Sequence, residues 1–274
     1  MIVINNNKYL LALLDTCIIG KLLKNENHEI ENFFNLVPKN NGTLIPAISV
    51  WSILEIKKKI ILYKKFIEFF SVIPFCLLKP PNLILDEEIS NYSKNKRVDP
   101  ILTTFSFLKK PEEQIQNFLD MLFSKPEVRQ AELLWESDWK QEVLDSILSL
   151  KQNFNPKGKY YNSQDAINFV KLGVPQYLGS QKSDWVKEQL INSNEIIIDA
   201  FPSVKITFFN VFFRFYLNNR APEKQDIFDL TINNPVPYVD YVFTEKFQSD
   251  IFQRVKKIDN FINHLEIMTL KDLY

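Results

Sequence analysis

The sequence is poor in cysteine, histidine and glycine, with two, two and five respectively in 274 residues. Cys17 and Cys76 cannot build a disulfide framework or a cysteine-based zinc site, and such sparse cysteine usage fits a reducing compartment. His28 and His264 leave few players for a histidine triad or a histidine zinc centre. There is no Gly-x-x-x-x-Gly-Lys phosphate loop, no Gly-x-Gly-x-x-Gly dinucleotide fingerprint and no Gly-x-Ser-x-Gly nucleophile elbow. Excess charge of one sign is also missing: 33 basic residues face 33 acidic ones. This removes the simplest argument for a nucleic-acid partner, although charge segregated into patches escapes such a count. Long hydrophobic runs are absent as well. The most apolar stretch, Phe66 to Leu78, carries Glu68 and Pro74 and is too short to span a bilayer. Asn5, Asn6 and Asn7 stand where a signal peptide would need an apolar segment. The expectation is a soluble, cytoplasmic protein with no membrane partner.

What is present is a core. Hydrophobic residues make up 46% of the chain and aromatics 14%, which excludes a disordered or low-complexity protein. Leu10 to Leu14 is an unbroken apolar run of the kind buried on both faces of a parallel sheet. Asp15-Thr16 follows as a helix start, with Ile18, Ile19, Leu22 and Leu23 at helical spacing. A further helical stretch is expected near Glu29 to Leu36, a turn at Asn40-Asn41-Gly42, and a strand over Leu44 to Ile48. From Ser49 the pattern is helical again and carries Glu55 in its second turn. At the other end, Pro222 reads as the opening of a helix that runs to about Ile232. Val239 to Thr244 reads as a strand, Phe247 to Ile258 as a helix, and His264 to Leu270 as a last strand. Strands and helices alternating in this way imply a mostly parallel sheet covered on both faces.

The middle of the chain changes character. Helices are expected over 111–123, 126–151 (through Ala131, Trp135 and Trp139), 163–172, 182–192 and 202–217, broken at Asn155-Pro156-Lys157-Gly158, Gly173 and Gly179. The Phe-rich run Ile206 to Leu217, apolar on all faces despite Asn210 and Arg214, reads as a buried helix. The reading is one α/β domain over 1–274, with a core from 1–80 and 200–274 and a large helical insertion over 81–199.

The remaining chemistry lies in carboxylates at strand ends. Ligands of open parallel sheets bind outside the carboxyl ends of the strands, where Asp15 stands; the alternative is that Asp15 only caps the next helix. Glu55 has Ile53, Leu54 and Ile56 as neighbours, or else pairs with Lys58 or Lys59 one turn on. Asp226 and Asp229 share a helix face, where their repulsion would be offset by a helix N-terminus or a bound cation. Thr244-Glu245 closes the penultimate strand beside Asp15. Asp240, at that strand's beginning, is expected to be structural.

Taken in order, these residues resemble the PIN domain family of metal-dependent ribonucleases. The carriers are a strand ending in Asp15-Thr16, Ser49 to Glu55, the Asp226–Asp229 helix, and the string Pro237-Tyr238-Val239-Asp240-Tyr241-Val242-Phe243-Thr244-Glu245. The resemblance covers the two ends of the chain and is silent on 81–199. It implies a three-layer α/β/α fold. Asp15, Glu55 and Asp229 would be catalytic metal ligands, Asp226 an additional or alternative ligand, and Glu245 the fourth acid. The family more often has an aspartate two residues after the threonine, where this chain has Lys246. Three or four carboxylates without His or Cys suit Mg²⁺ or Mn²⁺. Thr16, Thr244, Lys58 and Lys59 would serve substrate binding, with Lys57, Lys64 and Lys65 nearby in sequence. The implied function is endonucleolytic cleavage of single-stranded RNA, as a toxin, defence effector or processing factor, with an antitoxin or regulatory protein and a homo-oligomer as candidate partners. The alternative is a catalytically degenerate scaffold that binds RNA or protein.

Overall fold

The structure, a computed structural model, describes residues 2–273 except 5–6, 25–30, 34–37, 40–41, 93, 95, 106–109, 127, 130–138, 155–159, 194, 218–220 and 224. Strand β1 (Ile2–Ile4) pairs antiparallel with β2 (Asn7–Leu14), so the first apolar run is the carboxyl part of a longer strand. Helix α1 (Thr16–Lys24) follows, then β3 (Pro38–Lys39), β4 (Gly42–Ser49), α2 (Val50–Lys57), α3 (Ile60–Phe70) and β5 (Phe75–Leu78). Next come α4 (Pro81–Asn91), β6 (Ile101–Phe105), α5 (Pro111–Ser124), α6 (Trp139–Asn153), α7 (Ser163–Gln181) and α8 (Ser183–Ser193). Helix α9 (Pro202–Val211) runs into a π-helical turn (Phe212–Leu217), before α10 (Asp226–Ile232), β7 (Tyr241–Thr244), α11 (Lys246–Ile258) and β8 (Glu266–Thr269). Most of the helix expected over 29–36, the turn at Asn40-Asn41, Ala131 and Trp135, and the break at Asn155 to Gly158 lie outside the described residues.

The sheet order is β6-β5-β4-β2-β7-β8, with β1 and β3 added on β2 and β4. The neighbours from β5 through β8 are parallel, and β6 is antiparallel to β5. The period-two alternation of a strand sorts the side chains into two cores. Leu11, Leu13, Cys76, Leu78 and Val242 enter one, with residues of α7, α9 and α11. Leu10, Ala12, Leu14, Ile48, Leu77 and Phe243 enter the other, with residues of α1, α2, α3 and α5. Helices thus cover both faces of a mostly parallel sheet, the α/β/α arrangement that continuous apolar strands require.

Three expectations need correction. The stretch 81–199, expected to be helical, also contributes β6 to the sheet edge, and Phe169, Val174 and Leu178 of α7 join the same core as Leu11 and Leu13. Helix α7 does not stop at Gly173 or Gly179 but passes through both, and through Pro175. Gly173 is there for close approach: a Cβ would meet Phe208 Cε1 at 2.2 Å. The helix expected to open at Pro222 begins at Asp226, because the Asp226 carboxylate accepts the Glu223 N–H (2.8 Å) and closes a turn before the helix.

Candidate functional site

Strands β2 and β7 lie side by side and parallel, ending at Leu14 and Thr244. Their chains then diverge. Helix α1 buries Ile18, Ile19 and Leu22 in one core, whereas α11 buries Ile251, Phe252 and Val255 in the other. Adjacent strands whose helices depart to opposite faces open a crevice at the carboxyl edge, the switch point where open α/β sheets bind ligands. Asp15 and Glu245 are the first residues beyond these two strands.

Asp15 is held from several directions. Its N–H donates to Phe243 O (3.0 Å), and its carbonyl accepts from the N–H groups of Ile18 and Ile19 (both 3.0 Å), which starts α1. The Thr244 hydroxyl, fully buried, donates to Asp15 Oδ2 at 2.7 Å. The carboxylate is therefore aimed at the strand end rather than used only as a cap. Its pKa is raised from 3.8 to about 6. Burial is the main cause, Asp229 and Glu245 add to it, and hydrogen bonds from Thr244 and the Thr16 backbone oppose it. The Cys17 thiol is pushed up too, by partial desolvation of the group first and then by Asp15, Glu245 and Asp229. The charges of Asp229 and Glu245 thus reach both Asp15 and Cys17. Thr16 Oγ1 is buried with no hydrogen-bond partner among the described residues.

Asp226 and Asp229 share one cation, Arg214. The guanidinium is buried, and its Nη1 donates to Asp226 Oδ1 (3.0 Å) and Asp229 Oδ2 (2.8 Å). Nη2 donates to Gln248 Oε1, and Gln248 Nε2 donates in turn to Asn210 Oδ1 (2.5 Å). The two aspartates differ in setting. The Asp226 side chain is 3% exposed and also closes the turn onto Glu223, whereas the Asp229 side chain is 38% exposed. Asp226 is thereby built into the interior, and Asp229 is the acid of this pair that reaches the crevice.

Glu55 and the lysines lie on and just beyond α2, which packs against α1 and against α10, the helix that carries Asp229. Ser49, the N-cap of α2, accepts from Trp51 N–H (3.2 Å) at the end of β4. At about 1.5 Å per residue, Glu55 lies roughly 9 Å along the helix axis from that cap. It is half-buried and makes no hydrogen bond or salt bridge with another described residue. Lys58 and Lys59 are exposed beyond the last turn of α2. Lys57 lies over the Phe123 ring at 4.3 Å, and Lys64 pairs with Glu68 at 3.9 Å.

The donor chemistry at the switch point, carboxylate oxygens with no histidine or thiolate among them, fits a hard divalent cation. In this arrangement, however, no three His, Cys, Asp or Glu among the described residues are grouped closely enough to hold one. Asp15, Asp229 and Glu245 are brought into mutual electrostatic range, and Arg214 holds an oxygen of one of them.

The string Pro237 to Glu245 divides between scaffold and site. Leu11 N–H donates to Asp240 Oδ2 (3.0 Å), so this carboxylate clips β2 to the chain entering β7. The Tyr238 hydroxyl donates to the buried Glu88, which also accepts from Ser203 N–H (2.8 Å) and Oγ (2.7 Å) at the start of α9. Burial pushes Glu88 up to about 7 against these hydrogen bonds. The residues that sequence reasoning passed over are Arg214, Gln248 and Glu88. A signal existed for the first: a lone arginine in an otherwise apolar run must find a buried acid.

No protein-family model, no curated protein and no solved structure matches this chain. Among the described residues, no helix is long and apolar enough to cross a membrane.

Proposed function

We propose that the chain is a PIN-like, divalent-metal-dependent endoribonuclease working at the crevice between β2 and β7. The observation that carries this reading is that Asp15, fixed by Thr244 at the end of β2, and Glu245, at the end of the adjacent parallel strand β7, stand at a switch point within reach of the Asp229 charge. Charge of one sign gathered in a partly desolvated crevice calls for a positive ligand. Mg²⁺ or Mn²⁺ held by Asp15 with Asp229 and Glu245, and with Glu55 as the further expected ligand, would supply an activated water and charge neutralisation at a phosphodiester. The protein's own contribution is orientation. Thr244 fixes the Asp15 carboxylate by a 2.7 Å hydrogen bond. The N-termini of α1 and α11 converge on the crevice and offer N–H dipoles to a phosphate backbone.

A second reading has an observation of its own. Arg214 already neutralises Asp229, as a resident cation would in a scaffold that binds RNA or protein without cutting it. One experiment separates the two. Purified protein with Mn²⁺ or Mg²⁺ is expected to cleave single-stranded RNA internally, to stop on chelation, and to lose at least about 100-fold on Asp15→Asn. Cleavage that survives either treatment contradicts the mechanism, and RNA binding with no cleavage in any metal selects the scaffold.

A further inference from the structure

Arg214 divides its bonds between the interior and the crevice. A guanidinium that is 1% exposed needs a partner, and Asp226, equally buried, provides one at 3.0 Å. The bond from the same Nη1 to Asp229, at 2.8 Å, is additional and runs to an acid at the crevice rather than to the interior. The opposite side of the guanidinium reaches Gln248, which lies in the first turn of α11, three residues beyond Glu245. Arg214 therefore links the helix that carries Asp229 to the helix that carries Glu245 at its N-cap. Its own support is a π-helical turn, Phe212–Leu217, a wound-out geometry that often marks functional positions in helices. Arg214 Nε has no hydrogen-bond partner among the described residues.

We propose that Arg214 is a positioning residue with a latch function: it holds Asp229 while the crevice is free of metal and competes with a divalent cation for that carboxylate. The inference rests on the metal-dependent reading above and deepens it by naming what controls cation entry. It also reconciles two facts, that the acids of the crevice have the chemistry of a hard-cation site and that no three of them stand together as one. With Asp229 turned onto the guanidinium, the group is incomplete. A divalent ion at Asp15 competes with Arg214 for the charge of Asp229, and the guanidinium repels it. Asp226 keeps the arginine paired during the exchange, so no buried charge is left alone.

The test uses the full-length protein and metal alone, without RNA. Mn²⁺ affinity, followed by the electron paramagnetic resonance of the free ion, should tighten at least 10-fold in Arg214→Gln, because the competing charge is gone. It should stay within about 3-fold of the parent in Arg214→Lys, where the charge remains. Unchanged or weaker binding in a folded Arg214→Gln protein overturns the proposal. A second measurement needs no variant. In protein labelled with ¹⁵N-arginine and ¹³C-aspartate, Mg²⁺ should shift the Arg214 side-chain signals in step with those of the Asp229 carboxyl carbon. Arg214 signals that do not move with added Mg²⁺ overturn the latch even if Arg214→Gln fails to fold. Failure of the broader reading looks different: a normal Mg²⁺ response at Arg214 with no RNA cleavage removes the nuclease and leaves the latch.

Discussion

Asp15 shows how one residue's surroundings become measurable. Its pKa is about 6 in the folded protein against an ordinary 3.8. Between these values the native state holds a proton that the unfolded chain has released, so raising the pH through this window lowers stability. Above about pH 6 Asp15 is ionised at a cost; below about pH 4 both states are protonated and the cost vanishes. Asp15→Asn keeps an acceptor for Thr244 and removes the charge. It should therefore be more stable than the parent by on the order of 2 kcal/mol at pH 7, with the difference fading below pH 4. Urea denaturation of both proteins across pH 4–7 checks this, and equal stabilities at pH 7 would mean that the Asp15 carboxylate is not ionised at a cost. A residue that gains stability and loses activity on the same substitution is one held under electrostatic strain for function. At this scale the sequence was readable where chemistry sits at a strand end. Asp15 and Thr244 were visible because an apolar run stops at each. Arg214 was visible as a lone cation in an apolar run, but its partners were not, because they lie 12 and 15 residues further along and nothing local indicates the pairing.

Among the elements, α7 and α9 carry the clearest lesson. Gly173 and Gly179 read as breaks, since glycine lowers helix propensity, yet a single helix contains both, and Pro175 as well. Tertiary packing outweighs propensity here: Phe208 of α9 lies where a Gly173 side chain would be, and Phe169 packs against Phe208 and Phe212 at centroid separations of 5.7 Å. Gly173→Ala should raise helix propensity and still destabilise the protein, by about 1–3 kcal/mol, because the ring must leave its position. A lowered denaturation midpoint is the expected result, whereas a stabilised variant would show that the two helices stand further apart. The same contact matters for the site, since α9 leads directly into the turn that presents Arg214. Loosening it should weaken the hold on Asp229 without touching any acid.

At the scale of the molecule, the architecture follows from two facts: side chains alternate along each strand, and the helices after β2 and β7 go to opposite faces. The first was legible in the sequence as apolar runs, and the alternation of elements gave the α/β class. The second was not, because strand order depends on contacts between residues more than 200 positions apart, such as Thr244 with Asp15. Nor was the edge strand β6 legible. Its burial is mostly intermediate, and its one fully buried residue, Phe105, gives no periodic signal. The balance of 33 charges against 33 conceals local polarity, with acids gathered at the switch point and Lys58 and Lys59 exposed past the end of α2. The most direct test is where a divalent ion goes. Substoichiometric Mn²⁺ added to ¹⁵N-labelled protein should broaden the amide signals around Asp15, Thr16, Asp229 and Glu245 first, and Asp15→Asn should abolish that pattern. Broadening spread over surface acids such as Glu112 and Glu113, or unaffected by Asp15→Asn, would contradict a cation site in the crevice.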